Sequence, residues 1–191
     1  SFSGYPQSYV CTDFSLASGQ TTNIVTYDLV DTDNSGTFNG GDVFTVSYTN
    51  CTLLSSTITL NGSSSLTLNS YTASTTGSSS GSMTVGYNSF TITDTAPTPD
   101  VTAGLNGSMT LSFSFDGTTF TASMSGASFT ASHSEVGSVT YTNFAFTSSA
   151  NATVETFAAD LSISMTPTGG TTGTVNISTP DTFSGPIGGN P

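Results

Sequence analysis

The sequence predicts an all-β protein, an antiparallel meander or sandwich of related bulged hairpins with one disulfide. Three observations lead there. Apolar residues alternate with Ser or Thr along most of the chain, strand-forming aromatics are plentiful at 13 Phe and 7 Tyr, and no segment carries the 3.6-residue apolar period of a helix. Ser and Thr together supply 72 of the 191 residues. Such polarity can signal disorder, but the regular alternation places every second apolar side chain on one face of a strand. The chain is read as one domain, 1–191, with a disulfide- and loop-bearing part, 1–70, and a part of repeated hairpins, 71–191.

The first hairpin sets Val25, Tyr27 and Leu29 against Phe44, Val46 and Tyr48, on either side of an acidic loop. The only two cysteines, Cys11 and Cys51, bracket this segment. In an oxidising compartment they form a disulfide; in the cytosol they would be two buried thiols. Closing such a loop stabilises the fold by about 4 kcal/mol on the chain-entropy account.

A weak repeat follows. Val46-x-Tyr48 precedes Cys51-x-Leu53, Val85-x-Tyr87 precedes Phe90-x-Ile92, and Val139-x-Tyr141 precedes Phe144-x-Phe146. Each time the apolar phase slips by one residue beside an Asn (Asn50, Asn88, Asn143), as a β-bulge requires. Asn61-Gly62-Ser63 and Asn106-Gly107-Ser108 are read as the openings of new alternating strands. The uneven spacing of the tyrosines argues against a solenoid. Thr95 to Val101, with Pro97 and Pro99, reads as a loop. Met109, Leu111, Phe113 and Phe115 lead through an Asp116-Gly117 turn to Phe120, Ala122 and Met124. Leu161, Ile163, Met165 and Val175, Ile177 continue the alternation, and Pro180 with the tail Gly185 to Pro191 ends the last strand.

Charge narrows the function. Lys and Arg are absent and the formal net charge is -12. Without an ammonium or guanidinium group the chain has nothing to neutralise phosphates, so nucleic acid and anionic membrane surfaces are excluded as partners. No apolar run reaches 18 residues, so membrane insertion through a helix is not expected. The chain opens on Ser and carries no signal peptide, the expected look of a processed, secreted protein.

The strongest motif is Asp31-Thr32-Asp33-Asn34-Ser35-Gly36-Thr37-Phe38-Asn39-Gly40-Gly41-Asp42. Oxygen-bearing side chains fall at positions 1, 3, 5, 9 and 12 of a twelve-residue loop, with Gly36 at the sharp turn of position 6. That spacing wraps a hard cation, with Asp31, Asp33, Ser35, the Thr37 carbonyl, Asn39 and Asp42 as ligands and Ca2+ as the expected ion. Phe38 is expected to anchor the loop to the core. These twelve residues resemble the calcium loops of EF-hand and dockerin proteins. The resemblance implies a calcium site with Asp42 as a short final ligand, as in dockerin loops, and an affinity in the extracellular range. Strands flank the loop here, so no opening of helices is implied.

Catalytic signals are sparse, and the chain is read as not an enzyme. His133 is the single histidine, and Glu135, Glu155, Asp160, Asp94 and Asp100 show no spacing that selects a catalytic pair. Five sequons, at Asn50, Asn61, Asn106, Asn151 and Asn176, match what this Ser/Thr content gives by chance. Surface glycans are weak candidate partners, since Trp is absent and only Tyr offers a stacking ring.

Two functional readings follow. The first is a structural subunit of an extracellular filament or surface assembly, self-associating by β-strand exchange and stiffened by calcium, because sheet edges without Lys are open to strand addition. On that reading Ser1 to Tyr9 and Thr182 to Pro191 are held in place, one of them by a neighbouring subunit. The second is a monomeric cell-surface adhesin or lipoprotein-like binding module. The first 70 residues loosely resemble Ser/Thr-rich bacterial envelope β proteins, which favours the second reading.

Overall fold

The computed structural model describes residues 4–53, 56–75 and 77–186. Eleven strands follow one another: β1 (Gln7–Val10), β2 (Ile24–Val30), β3 (Val43–Thr52), β4 (Ile58–Ala73), β5 (Ser79–Asp94), β6 (Val101–Phe115), β7 (Phe120–His133), β8 (Gly137–Ala150), β9 (Val154–Pro167), β10 (Gly173–Ser178) and β11 (Phe183–Pro186). Strands β1 to β10 each pair with their sequence neighbours in one antiparallel sheet. This is the predicted meander. The sandwich alternative is not what forms, since all eleven strands belong to a single sheet.

Both β10 and β11 lie antiparallel to β9, the first along Asp160 to Met165 and the second along Val154 to Phe157. They make one edge strand in two pieces, broken at Pro180, which has no N–H for the ladder. Thr179 bridges the gap, its N–H donating to the Ala159 carbonyl at 3.0 Å and its hydroxyl accepting from the Ala159 N–H at 2.9 Å. The expectation that the last strand ends at Pro180 is therefore corrected, because pairing resumes at Phe183. At the other edge, β1 pairs with β2 over Ile24 to Tyr27. The expected docking of Ser1 to Tyr9 or Thr182 to Pro191 into a neighbour rests partly on residues 1–3 and 187–191, which lie outside the described residues.

The alternation in sequence becomes two unlike faces. Directly paired residues project to the same side of a sheet, and the register runs Leu29↔Phe44↔Leu66↔Val85↔Met109 across β2 to β6. Met83↔Leu111↔Met124↔Phe146↔Ala159 continues it from β5 to β9. The intervening residues are Ser and Thr and form the opposite face. There hydroxyls pair across strands: Thr84 with Thr110, Thr93 with Thr102, Thr130 with Thr140 and Ser164 with Thr174, each at 3.0 Å.

A line of bulges crosses the sheet. Register shifts fall between Tyr48 and Cys51 of β3, Tyr87 and Phe90 of β5, and Thr142 and Ala145 of β8, where the repeat predicted them. The residues that take positive φ are Asn50 (46°), Ser89 (48°) and Asn143 (49°), so in the second copy Ser89 carries the bulge rather than Asn88. Asn61-Gly62-Ser63 and Asn106-Gly107-Ser108 do not open strands; they sit inside β4 and β6 on the same line. The Asn61 side-chain carbonyl accepts the Asn50 N–H at 2.7 Å, and that of Asn106 accepts the Ser89 N–H at 3.1 Å. Gly62 and Gly107 have φ of 85° and 112°, a conformation open to glycine. Aromatics close over these glycines: Tyr48 meets Phe90 edge-on at 5.7 Å across β4, and Tyr87 meets Phe129 at 6.0 Å across β6.

Among the described residues two small clusters are buried. Cys11, Val25 and Cys51 form one, flanked by Tyr9, Tyr27, Val46, Tyr48 and Leu60. Phe144, Ala159 and Leu161 form the other, flanked by Met109, Met124, Phe129, Tyr141, Phe146 and Ile163. The predicted disulfide is present between Cys11 and Cys51, with a Cα–Cα distance of 5.4 Å. It ties the end of β1 to β3 past the intervening β2, enclosing Val25.

Candidate metal centre

The acidic loop joins β2 to β3 and closes the far end of the first hairpin. Its position is set by backbone pairing with β4: the Gly41 N–H donates to the Leu68 carbonyl at 2.6 Å, and the Leu68 N–H to the Asp42 carbonyl at 3.1 Å. The expectation that Phe38 anchors the loop is corrected, because its ring is 40% exposed. Main-chain bonds hold the loop instead.

Three of the six sequence-predicted ligands converge through their carboxylates. Asp31, Asp33 and Asp42 each offer an oxygen within 4.8 Å of the others, an arrangement that can hold a metal ion. Asp42 is fully buried at 0% exposure. One of its oxygens accepts the Thr32 N–H at 2.8 Å and the Thr32 hydroxyl at 3.1 Å, and the other accepts the Asn39 N–H at 2.8 Å. The Asn39 and Thr32 amides lead in holding its carboxyl below the usual range, against its desolvation. Desolvation pushes Asp31 up, but its hydrogen bonds, that from the Gly36 amide first, outweigh it and bring the carboxyl down to about 2. Among the donors are the Gly36 N–H at 2.9 Å and the Ser35 N–H at 3.0 Å.

The remaining predicted ligands organise the carboxylates. Asn39 donates its side-chain amide to Asp33 at 3.1 Å and to the Ser35 hydroxyl at 2.7 Å. Ser35 in turn donates to the Thr37 main-chain carbonyl at 3.0 Å. Ser35, Thr37 and Asn39 thus lie against the acidic cluster. Thr32 is the residue that sequence reading missed. It sits at an even position, where an alternating ligand pattern skips, yet it caps Asp42 with both amide and hydroxyl.

The donor set is all oxygen and all hard, which suits a hard divalent cation better than a soft one. A chain without Lys or Arg brings no ammonium or guanidinium side chain to three carboxylates so close together. The residues therefore fit an ion of this kind.

The other residues weighed as chemical candidates are dispersed. His133 ends β7 and accepts the Glu135 N–H on Nδ1 at 3.3 Å, Asp94 ends β5, and Glu155 and Asp160 lie in β9. Four of the five sequon asparagines have structural positions: Asn50 in a bulge, Asn61 and Asn106 bonded to bulge amides, and Asn151 capping the β8–β9 turn through Thr153 and Val154. Among the described residues no helix is long and apolar enough to cross a membrane, and the disulfide suits an oxidising compartment.

No family model matches this chain, and neither a curated protein nor a solved structure does so.

Proposed function

We propose that the protein is a non-enzymatic structural subunit of an extracellular filament or surface assembly, joined to its neighbours through sheet edges and stiffened by Ca2+ in the Asp31 to Asp42 loop. The observation that carries this reading is the open sheet. A meander of ten successive strands leaves an edge at β1 and another at β10 and β11, and neither carries a charged side chain to discourage strand addition. A β10 strand exposed along its whole length presents N–H and C=O groups to an incoming strand. Calcium would act as a rivet, fixing the end of the first hairpin opposite the disulfide.

Electron microscopy and size-exclusion chromatography of the purified chain, with calcium and with chelator, test the proposal. Linear polymers that weaken on chelation are the expected result. A calcium-replete chain that stays free of larger species at high concentration overturns it.

A further inference from the structure

The two faces of the sheet differ in what they leave unfinished. A compact monomer of 19.4 kDa exposes about 8,500 Å². This chain exposes 11177 Å², about 2,700 Å² more than that scaling gives. Large side chains of the apolar face contribute to it. Leu111, at the middle of β6 with apolar neighbours on both flanking strands, is 36% exposed, Ile92 41%, Phe120 45% and Met165 50%. A hollow of about 300 Å³ lies over β6 to β8, lined by Met109, Met124, Phe129, Tyr141, Phe144 and Phe146.

We infer that this apolar face packs against the same face of a second copy of the chain, giving a two-layer sandwich about a two-fold axis. Area argues for it: obligate homodimers bury roughly 2,000–5,000 Å² in total, about 1,000–2,500 Å² from each copy, and an excess of about 2,700 Å² on each copy is enough to supply that. Charge distribution argues for it too. Asp13, Asp31, Asp33, Asp42, Asp100, Asp116, Glu135 and Asp181 lie in loops and turns, and Asp28 and Asp160 alternate onto the Ser/Thr face, opposite Thr45 and Ala145. Asp94 and Glu155 fall on the apolar side, but at the end of β5 and the start of β9, so the charges on that face sit at its rim and its centre carries none. An anionic lipid would find no cation on this chain to hold its head group. The face also spans about nine strand spacings, roughly 40 Å, the width of a packed sheet rather than of a single acyl chain.

The pairing is independent of edge-to-edge assembly, because a two-fold contact between faces closes on itself whereas edge contacts propagate. Analytical ultracentrifugation of the purified chain over a dilution series reads it directly. A discrete species of twice 19.4 kDa is expected, and L111E should weaken it at least about tenfold while T110E, on the opposite face, leaves it intact. A second readout needs no variant. All four methionines, Met83, Met109, Met124 and Met165, lie on the apolar face. In the pair, the labelled methyls of Met109 and Met124 should be shielded from a soluble paramagnetic agent and become accessible on dilution.

A wild-type monomer at 0.1 mM, on the order of common working concentrations, with accessible methyls overturns the inference. So does a monomer that carries solvent-extractable lipid on this face, or polymers whose mass per length corresponds to one unpaired sheet. Dimers with no larger species would leave face pairing standing and remove edge assembly.

Discussion

The two ends of the sheet reach stability by different routes. At the β1–β3 end a disulfide, Val25 and a buried carboxylate network hold three short strands. At the β6–β9 end no covalent tie exists, and Phe144, Ala159 and Leu161 are enclosed by aromatics and methionines. Neither cluster draws a buried side chain from β4, β5 or β6, the strands between them. A single-layer sheet has one packing face and so gathers its core locally, wherever a bulge or a crosslink lets side chains close over one another. The two ends should therefore lose structure separately.

The largest effect expected is that of the crosslink. Replacing Cys11 and Cys51 by Ser should lower unfolding free energy by about 4 kcal/mol in urea titrations. Hydrogen exchange should show β1 to β3 opening first while β7 to β9 keep their protection. Loss of protection across the whole sheet at once would end the distinction. Phe144→Ala is the converse experiment, costing about 3 kcal/mol, with β7 to β9 exchanging first. Its ring is 4% exposed and lies over Gly126, where an added Cβ would come within 2.4 Å of it.

Glycine substitutions sharpen the contrast between crease and loop. At Gly62 a Cβ would meet the Ser89 carbonyl oxygen at 2.1 Å, whereas at Gly36 nothing lies within 4 Å. Both have positive φ, 85° and 75°. Gly62→Ala should cost about 3 kcal/mol, through backbone clash added to strain, and Gly36→Ala about 1 kcal/mol, through strain alone. Equal melting temperatures for the two variants would mean that the bulge line does not govern the fold. A smaller effect is expected at the metal centre. Asp42→Ala should abolish any calcium-dependent rise in melting temperature, and it should lower the melting temperature in chelator too, because Thr32 and Asn39 lose their acceptor.

Much of this was legible in the sequence, for identifiable reasons. Period-2 alternation fixes which side chains share a face, so β2, β3, β6, β7 and β9 could be read directly. The slips of apolar phase after Tyr48, Tyr87 and Tyr141 gave the bulges because a phase change has no other explanation in a continuous strand. What stayed hidden depends on cross-strand partners. Asn61-Gly62 reads as the opening of a strand until β3 and β5 lie beside it, when its φ and its side-chain carbonyl prove to serve a neighbouring bulge. β11 was lost because Pro180 signals termination locally and says nothing about a strand that resumes on the same partner. At the loop, the ligand spacing placed the carboxylates correctly, but the capping by Thr32 and the exposure of Phe38 follow from the path of β4.

The smallest effects expected are those of pH, and on the alkaline side they too separate the two ends. Hydrogen bonds hold Asp116 and Asp94 below their usual value: the Thr119 amide leads at Asp116, and the Thr57 hydroxyl leads at Asp94. A carboxylate whose pKa is lower folded than unfolded binds more protons when unfolded, so its stabilisation is complete above the ordinary value of 3.8 and lost as pH falls through the lowered one. Acid should thus loosen the β5–β6 and β6–β7 connections together with the β2–β3 loop, where Asp31 and Asp42 are also held low, and Asp116→Asn should flatten part of the fall in melting temperature below pH 4, a threshold set by that roughly 3.9 reference. Tyr48 behaves oppositely. Desolvation, with a smaller contribution from Tyr27, raises its phenol above 10.0, so its stabilisation is complete below that value and lost as pH rises through the raised one. Because Tyr48 packs against the Cys11, Val25 and Cys51 cluster, alkaline loosening should begin at β1 to β3. Tyr48→Phe should blunt that alkaline fall and leave the acid limb unchanged, and a shift in both limbs would show that the phenol and the carboxylates are coupled.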